Sequence, residues 1–423
     1  MIWFSLALLV LLALIGVPLF AVVLAGAMLG FIAAGVDLGV VALEVYRIAD
    51  TPLLVALPLF TFAGYVMTAS NSAQRLMALA SAFFGWMPAG LAIVGFVACA
   101  IFTALTGASG VTIVAIGALL LPMLLKAGYS ERFSLGMVTT SGSLGVLIVP
   151  SVPLILFGVI AQQIDVGAQF TIPQLFLAGA VPVLLMLVAL SAYTMWSQQG
   201  FERTRFEATT VKRALWDARY ELPLPFVILG AIYSGYFAIS EAAAITALYV
   251  LVAEVLLYKE VKVRQLPSVV RESMVMVGSI ILILGAALAL TNYFVDQQIP
   301  QQLFEFIHGT VDSPLMFLIL LNVLLLVLGA FLDVFSATVI MVPLILPIAV
   351  QYGIHPLHLG VIFIANLQIG YFTPPIGMNL FIASYRFERS VIELYRACLP
   401  FMLVLLFVLL LVTYIPSLSL WFL

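Results

Sequence analysis

The sequence predicts an all-α polytopic membrane protein, built as an inverted repeat with two re-entrant helical hairpins and two discontinuous helices. Three observations lead there. Of the 423 residues, 65% are hydrophobic and only 8% charged, with a mean hydropathy of +1.25, whereas soluble domains carry about a quarter charged residues. The apolar runs are continuous and often exceed the ~18 residues of a membrane helix, unlike the short alternating segments of a β-barrel. Two of these runs are broken in mid-span by proline, glycine and hydroxyls, at GVLIVPSVP (145–153) and GYFTPP (370–375).

Composition also excludes several classes. A net charge of −3 with no basic patch argues against nucleic acid as a partner. Cys99 and Cys398 lie in apolar runs and read as packing residues. His308, His355 and His358 lack metal-ligand spacing, with Pro356 between the last two. The N-terminal apolar run, 2–36, has no basic lead and no cleavage site, so it is not expected to be a cleavable signal peptide. As one helix its 35 residues would span roughly 52 Å, so Gly16-Val17-Pro18 is expected to divide or kink it. Trp3, Trp86, Trp196, Trp216 and Trp421 fall near span ends, as interfacial anchors do.

Lysine and arginine orient the elements. They cluster at Lys126/Arg132, at Arg203, Arg205, Lys212, Arg213 and Arg219, at Lys259, Lys262, Arg264 and Arg271, and at Arg386, Arg389 and Arg396. The positive-inside rule puts these clusters in the cytoplasm. In chain order, residues 1–90 are N-terminal scaffold helices. Residues 91–125 form a hairpin that turns at 106–110 and ends inside at Lys126. A broken helix, 133–160, crosses outward to a loop around Asp165, and 173–195 returns, closing the first repeat, 91–195.

The stretch 196–295 supplies a connector and further scaffold helices. Within it, 198–221 carries five basic and four acidic residues and reads as an amphipathic helix on the cytoplasmic surface. Residues 223–240 and 241–258 go out and back, with Glu241 capping or packing at the outer face. Residues 272–295 cross outward to a loop holding Asp296, Glu305 and Asp312. The segment 315–350 then begins and ends outside, as two full spans or as a re-entrant hairpin. Its halves, about 16 residues and roughly 24 Å each, favour the hairpin, with a polar centre at 333–336. A broken helix, 359–383, and a final helix complete the second repeat, 315–423.

The two halves share sequence. At an offset of 224, Leu135-Gly136 maps onto Leu359-Gly360, Pro150 onto Pro374, and Leu156-Phe157 onto Leu380-Phe381. At 225, Leu121-Pro122 maps onto Leu346-Pro347. Inverted repeats with interrupted helices are the pattern of secondary transporters.

Breaks of this kind leave main-chain groups unpaired. In hydrocarbon each costs several kcal/mol unless it lines a polar cavity or binds something. Freed carbonyls and hydroxyls are hard oxygen ligands suited to Na⁺, and the positive ends of half-helices suit an anion. The first repeat offers Thr106, Gly107, Ser109 and Thr112 at the hairpin tip, facing Ser141, Gly142, Ser143, Gly145 and the carbonyls before Pro150. The second offers Gly329, Asp333, Ser336 and Thr338, facing Asn366, Gly370, Thr373 and Asn379. Small and hydroxylated residues also serve as plain helix-packing contacts. Asp333, an acid deep in apolar sequence, is either functional or the cap of a half-helix. Thr112, Ser141, Ser143, Asp333, Ser336, Thr338, Asn366 and Asn379 are the candidate substrate-binding residues. No catalytic group pairs with Asp333, so enzyme chemistry is not expected, and no GxxxxGK[ST] loop marks an ATP motor.

The stretches ALTGASGVTIVAIGALLLP, TTSGSLGVLIVPSVPLILFGVIA, SGYFAISEAAAITALYVLV and GAFLDVFSATVIMVPLILPIA…NLQIGYFTPPIGMNLF resemble the large membrane subunit of tripartite ATP-independent periplasmic (TRAP) transporters, a DctM/SiaM-like family of the ion-transporter superfamily. The resemblance implies an elevator mechanism in which Na⁺ gradients drive uptake of an organic acid, such as a C4-dicarboxylate or sialic acid. It implies a small four-helix membrane subunit as a separate partner, a periplasmic substrate-binding protein, and residence in the bacterial inner membrane. By motif position it implies one Na⁺ site at Thr106, Ser109, Gly145, Ile148 and Pro150, and another at Gly329, Gly370, Thr373 and Ile376. No organic cofactor is expected. The alternative is a stand-alone carrier of the same superfamily, moving a dicarboxylate or oxyanion without a binding protein.

Overall fold

Helix starts follow the local chemistry of the chain. Ser130, Ser151, Thr171, Ser313, Asp333 and Ser390 each precede a helix, and each side chain accepts a hydrogen bond from a first-turn amide, which satisfies donors the helix leaves unpaired. The computed structural model describes residues 8–9, 11–13, 15–47, 52–164, 167, 169–198, 207–234, 236–309, 311 and 313–423. Trp3, Asp165, Arg203, Arg205 and Asp312 lie outside the described residues. Within them the chain is helical with no strand, and seven helices are long and apolar enough to cross a membrane, or eight if one bent pair counts as a span.

The part outside the two repeats comprises α1 (Leu19–Ala33), α2 (Gly39–Arg47), α3 (Ala56–Thr68) and α4 (Ser72–Phe84). Later in the chain it gains α10 (Ala208–Asp217), α11 (Pro223–Tyr233), α12 (Ile239–Leu251), α13 (Leu266–Asp296) and α14 (Ile299–His308). Helix α1 begins just after Gly16-Val17-Pro18. It packs on α13, and α3 packs on both α12 and α13. Glu241 caps α12, accepting from the Ala238 amide at 2.9 Å.

The first repeat contains α5 (Gly90–Thr106), α6 (Ser109–Lys126), α7 (Glu131–Ser141), α8 (Val152–Gln163) and α9 (Ile172–Ser197). The second contains α15 (Pro314–Phe331), α16 (Val334–Gln351), α17 (Pro356–Gly370), α18 (Met378–Phe387) and α19 (Val391–Tyr414). Helices α7 and α8 are bent by 42° across their break. The repeats exchange partners: α6 packs on α18 as α16 packs on α8, and α19 packs on α7 as α9 packs on α17.

Two glycines set the closest approaches. A Cβ on Gly145 would stand 2.1 Å from the Ala100 carbonyl oxygen, and one on Gly370 would stand 2.5 Å from Gly329 Cα. Positions 145 and 370, like 104 and 329, are 225 apart, so each break presses backbone against backbone on the first helix of its hairpin. Each break also holds one cis X-Pro bond, Val149-Pro150 and Pro374-Pro375.

A polar latch binds α4 to the far end of α12. Arg75 pairs with Glu221 at 2.7 Å, Glu254 at 3.0 Å and Glu260 at 2.6 Å, and its guanidinium lies 3.8 Å from the centroid of Tyr258. Burial opposes the charge on Arg75, but its hydrogen bonds to Glu221 and Glu260 outweigh burial and raise its pKa. Burial likewise acts to raise Glu260, but hydrogen bonds from Arg75 and Asn71 outweigh it and hold the carboxyl below its ordinary range. A carboxyl with a lowered folded pKa stabilises the fold above its unfolded pKa, and that stability is lost as pH falls through the folded value.

Arg75→Met should lower folded stability by about 3–5 kcal/mol, because it leaves buried carboxylates unpaired; thermal unfolding in detergent measures this. Glu260→Gln should flatten the acid limb of the same melting curve. Gly145→Ala and Gly370→Ala should each destabilise by at least about 1–3 kcal/mol, since backbone cannot yield as a side chain can. Gly278→Ala, with nothing within 4 Å of the added Cβ, should be neutral or stabilising by about 0.5–1 kcal/mol.

Candidate functional site

Both hairpins turn where polar residues interrupt the apolar pattern. Helix α5 ends on Gly107 at φ +69°, a left-handed conformation that glycine adopts without strain, and α6 restarts after Ala108, whose side chain cannot cap it. At the equivalent place in the second repeat stands Asp333. Its Oδ1 accepts from the Phe335 and Ser336 amides at 3.0 Å each, and the Ser336 hydroxyl donates to Oδ2. The capping role of Asp333 is therefore present. Its carboxylate also lines a cavity of about 570 Å³ together with Ser336, Met276 and Ser279.

The breaks are stitched to the tips. In the first repeat, Thr103 Oγ1 lies 2.7 Å from Thr112 Oγ1 and donates to the Gly142 carbonyl at 2.8 Å, while the Ser151 hydroxyl donates to the Val146 carbonyl. In the second, the Gly377 amide donates to Ala330 O at 2.9 Å, and the Val334 amide donates to Tyr371 Oη at 2.9 Å. Thr106 Oγ1 is buried and has no hydrogen-bond partner. Ser109 Oγ donates to Asn379 Oδ1 at 2.9 Å, joining the first hairpin tip to the second broken helix.

Several candidate residues point into packing. Ser141 bonds to Cys99 Sγ and the Val138 carbonyl, and Ser143 bonds to the Thr140 and Gln368 carbonyls. Thr338 donates to the Val334 carbonyl one turn back. Thr373 does the same to Ile369 at 2.9 Å. Asn366 donates to Asn322 Oδ1 at 2.7 Å and to the Ile362 carbonyl, so its own Oδ1 is left buried without a partner. Gly329, Asp333 and Ile376 share a smaller cavity of about 250 Å³ with Met378 and Phe381.

The two tips converge on one cavity of about 660 Å³. Residues 107–111 of the first hairpin and Val334 and Phe335 of the second form one side, with Val146, Tyr371 and Met378 from the broken helices. The opposite wall comes from outside the repeats: Tyr65 and Thr68 of α3, and Val269, Glu272 and Met276 of α13. Sequence reasoning placed Ser109 here but missed Tyr65, Tyr371 and Glu272. Arg75 was legible only as the one basic residue between Arg47 and Lys126.

Comparison with known proteins agrees with this architecture. Residues 5–418 match the family model described as "Tripartite ATP-independent periplasmic transporter, DctM component". The chain is 35% identical over 396 residues to the C4-dicarboxylate TRAP transporter large permease protein DctM of Rhodobacter capsulatus, covering 91% of this chain and 90% of that one. It is 33% identical to the isethionate TRAP transporter permease protein DctMQ of Oleidesulfovibrio alaskensis, covering 96% of this chain and 64% of that protein. It is also 31% identical to the sialic acid TRAP transporter large permease protein SiaM of Vibrio cholerae, covering 88% and 86%. In fold it resembles the YdaH transporter of Alcanivorax borkumensis, with a TM-score of 0.58 at 14% identity over 88% of this chain and 85% of that one. A multi-pass helical chain with two matching hairpin-and-break units, matched over nearly its whole length by the DctM model, is a member of the TRAP transporter large-permease family, a family of transporters and not of enzymes.

Proposed function

We propose that this permease imports an organic acid by Na⁺-coupled elevator motion in the bacterial inner membrane. In this reading it works with a separate small four-helix subunit and a periplasmic substrate-binding protein, as the family resemblance implies. The observation that carries the proposal is the 660 Å³ cavity, where both hairpin tips and both broken helices meet a wall of scaffold helices. A site built this way is carried by one body and bounded by another, so motion of the first past the second exposes it to alternate sides. The cavity face of the hairpin is smooth, with Gly107, Ala108, Gly110 and Ala115 on it, and small residues let helices slide closely.

Charge divides between the two tips. The N-terminus of α6 carries about half a positive charge from its macrodipole and has no side-chain cap. It therefore suits the carboxylate of the substrate. The N-terminus of α16 is already neutralised by Asp333, so the second tip does not compete for that carboxylate. Na⁺ fits the residues present, since the buried Thr106 hydroxyl has no other partner and the Gly329–Gly370 contact admits no side chain. Thr106, Ser109, Gly145, Ile148 and Pro150 would hold one ion. Gly329, Gly370, Thr373 and Ile376 would hold the other. Bound Na⁺ supplies positive charge that offsets the anionic substrate during the crossing.

Uptake by proteoliposomes holding the purified permease and its partners, with Na⁺ and pH varied separately, tests this reading. Uptake should require inward-directed Na⁺ and the binding protein. Uptake without the binding protein would favour the stand-alone carrier. Ser109→Ala and Thr373→Ala should shift Na⁺ activation about tenfold to higher concentration, the order of one lost hydrogen bond or ion contact; unchanged activation in both would remove the proposed ion sites.

A further inference from the structure

Arg219 is an arginine without a counter-ion. It stands half-buried in the turn after α10, with its guanidinium 4.8 Å from the ring centroid of Trp216, 4.6 Å from that of Tyr220 and 5.9 Å from that of Tyr258. Among the described residues its one acceptor is the Trp216 carbonyl, at 2.9 Å, so most of its N–H donors are left for an outside group. The carboxylates of the neighbouring latch, Glu221, Glu254 and Glu260, are all spent on Arg75. A guanidinium stacked on rings keeps its edge for an anion, and phosphate oxygens take two of its donors at once.

The turn holds that group in place. The Tyr258 hydroxyl donates to the Asp217 carbonyl at 2.6 Å and accepts from the Tyr220 amide at 3.3 Å, and the Tyr249 hydroxyl donates to the Tyr220 carbonyl at 2.7 Å. The Tyr258 ring also carries Arg75, 3.8 Å from its centroid, which ties the turn to the latch. The surface around it is basic and apolar together. Lys212 precedes Trp216 by one turn of α10, and both are exposed. Lys259 and Lys262 follow Tyr258, also exposed and with no carboxylate partner among the described residues. Beside them Leu256, Leu257 and Val263 are exposed as well. Asp217 shares its face of α10 with Arg213, one turn earlier.

We infer that this corner binds the headgroup of an anionic phospholipid, with Arg219 taking the phosphate and Lys212 and Lys259 adding charge beside it. An indole sits at headgroup level in a bilayer, and exposed apolar side chains reach below it. Trp216, Leu256, Leu257 and Val263 supply that part of the surface. A free anion would satisfy Arg219 but would leave these apolar side chains in water, whereas a lipid covers them. Each lysine or arginine near an anionic membrane surface strengthens the attachment. The inference uses neither the cavity nor the ion sites.

Native mass spectrometry of the full-length permease in detergent, titrated with phosphatidylglycerol or with phosphatidylcholine, tests it. Phosphatidylglycerol should be retained at concentrations about tenfold below those of phosphatidylcholine. Arg219→Gln should weaken that retention about tenfold, the order of a charge-assisted two-donor contact. Lys212→Gln should weaken it about fivefold, and because its side chain is exposed it should melt like the parent without lipid. If Arg219→Gln melts early, Lys212→Gln decides the matter. Arg386→Gln, at an exposed basic position on α18, should leave retention unchanged. Equal retention of the two lipids, or equal weakening by Arg386→Gln and Lys212→Gln, would overturn the inference by reducing it to overall charge. Displacement of the lipid by inorganic phosphate would overturn it in favour of a free-anion site. The Na⁺-coupled reading stands under every one of these outcomes, since it uses none of these residues.

Discussion

A polypeptide that breaks its helices inside an apolar body must satisfy its own main chain there, and the rest of this structure follows from how it does so. An orphan amide or carbonyl costs several kcal/mol in hydrocarbon. Here each break borrows from the hairpin beside it. Thr103 serves the Gly142 carbonyl, Ala330 receives the Gly377 amide, and Tyr371 receives the Val334 amide. Each hairpin tip is thus bonded to its broken helix, and the two form one mechanical unit.

The exchange of partners between repeats extends this unity. With α6 on α18 and α16 on α8, each hairpin packs on the other repeat's half-helix. Ser109 and Asn379 bond across that junction. The scaffold is held in a different way. One corner depends on Arg75, whose three carboxylate partners lie 146 to 185 residues away in sequence. Polar bonds also reach from these helices to the first repeat, where the Tyr233 hydroxyl donates to the Pro173 carbonyl at 3.2 Å.

What the sequence made legible was misplacement. Proline, glycine and hydroxyls inside apolar runs have few physical explanations, so a turn at 106–110 and breaks at 145–153 and 370–375 could be read directly, although the first break opens earlier, after Ser141. The destination of each hydroxyl could not. Ser141, Ser143, Thr112 and Thr338 look like Ser109 in sequence, yet their bonds go to neighbouring helices or to the turn below. Only the packing distinguishes them. Tyr65 and Glu272 carried no signal, because their importance comes from facing a tip far away in the chain.

The repeats have one fold and two electrostatic characters. Position 108 is alanine and position 333, 225 residues on, is aspartate. Both precede a helix that starts at a hairpin tip, but only the second is neutralised by its own side chain. The pairs Ser141/Asn366 and Ser143/Gln368 differ in the same sense, small hydroxyls in one repeat and larger amides in the other. A symmetric pair with identical uncapped tips would present two positive helix ends to one cavity. Changing one residue at one tip leaves an uncapped helix end and a carboxylate-capped one beside neighbouring cavities. The symmetry brings the tips together, and its local violation at Ala108 and Asp333 makes them electrostatically unlike.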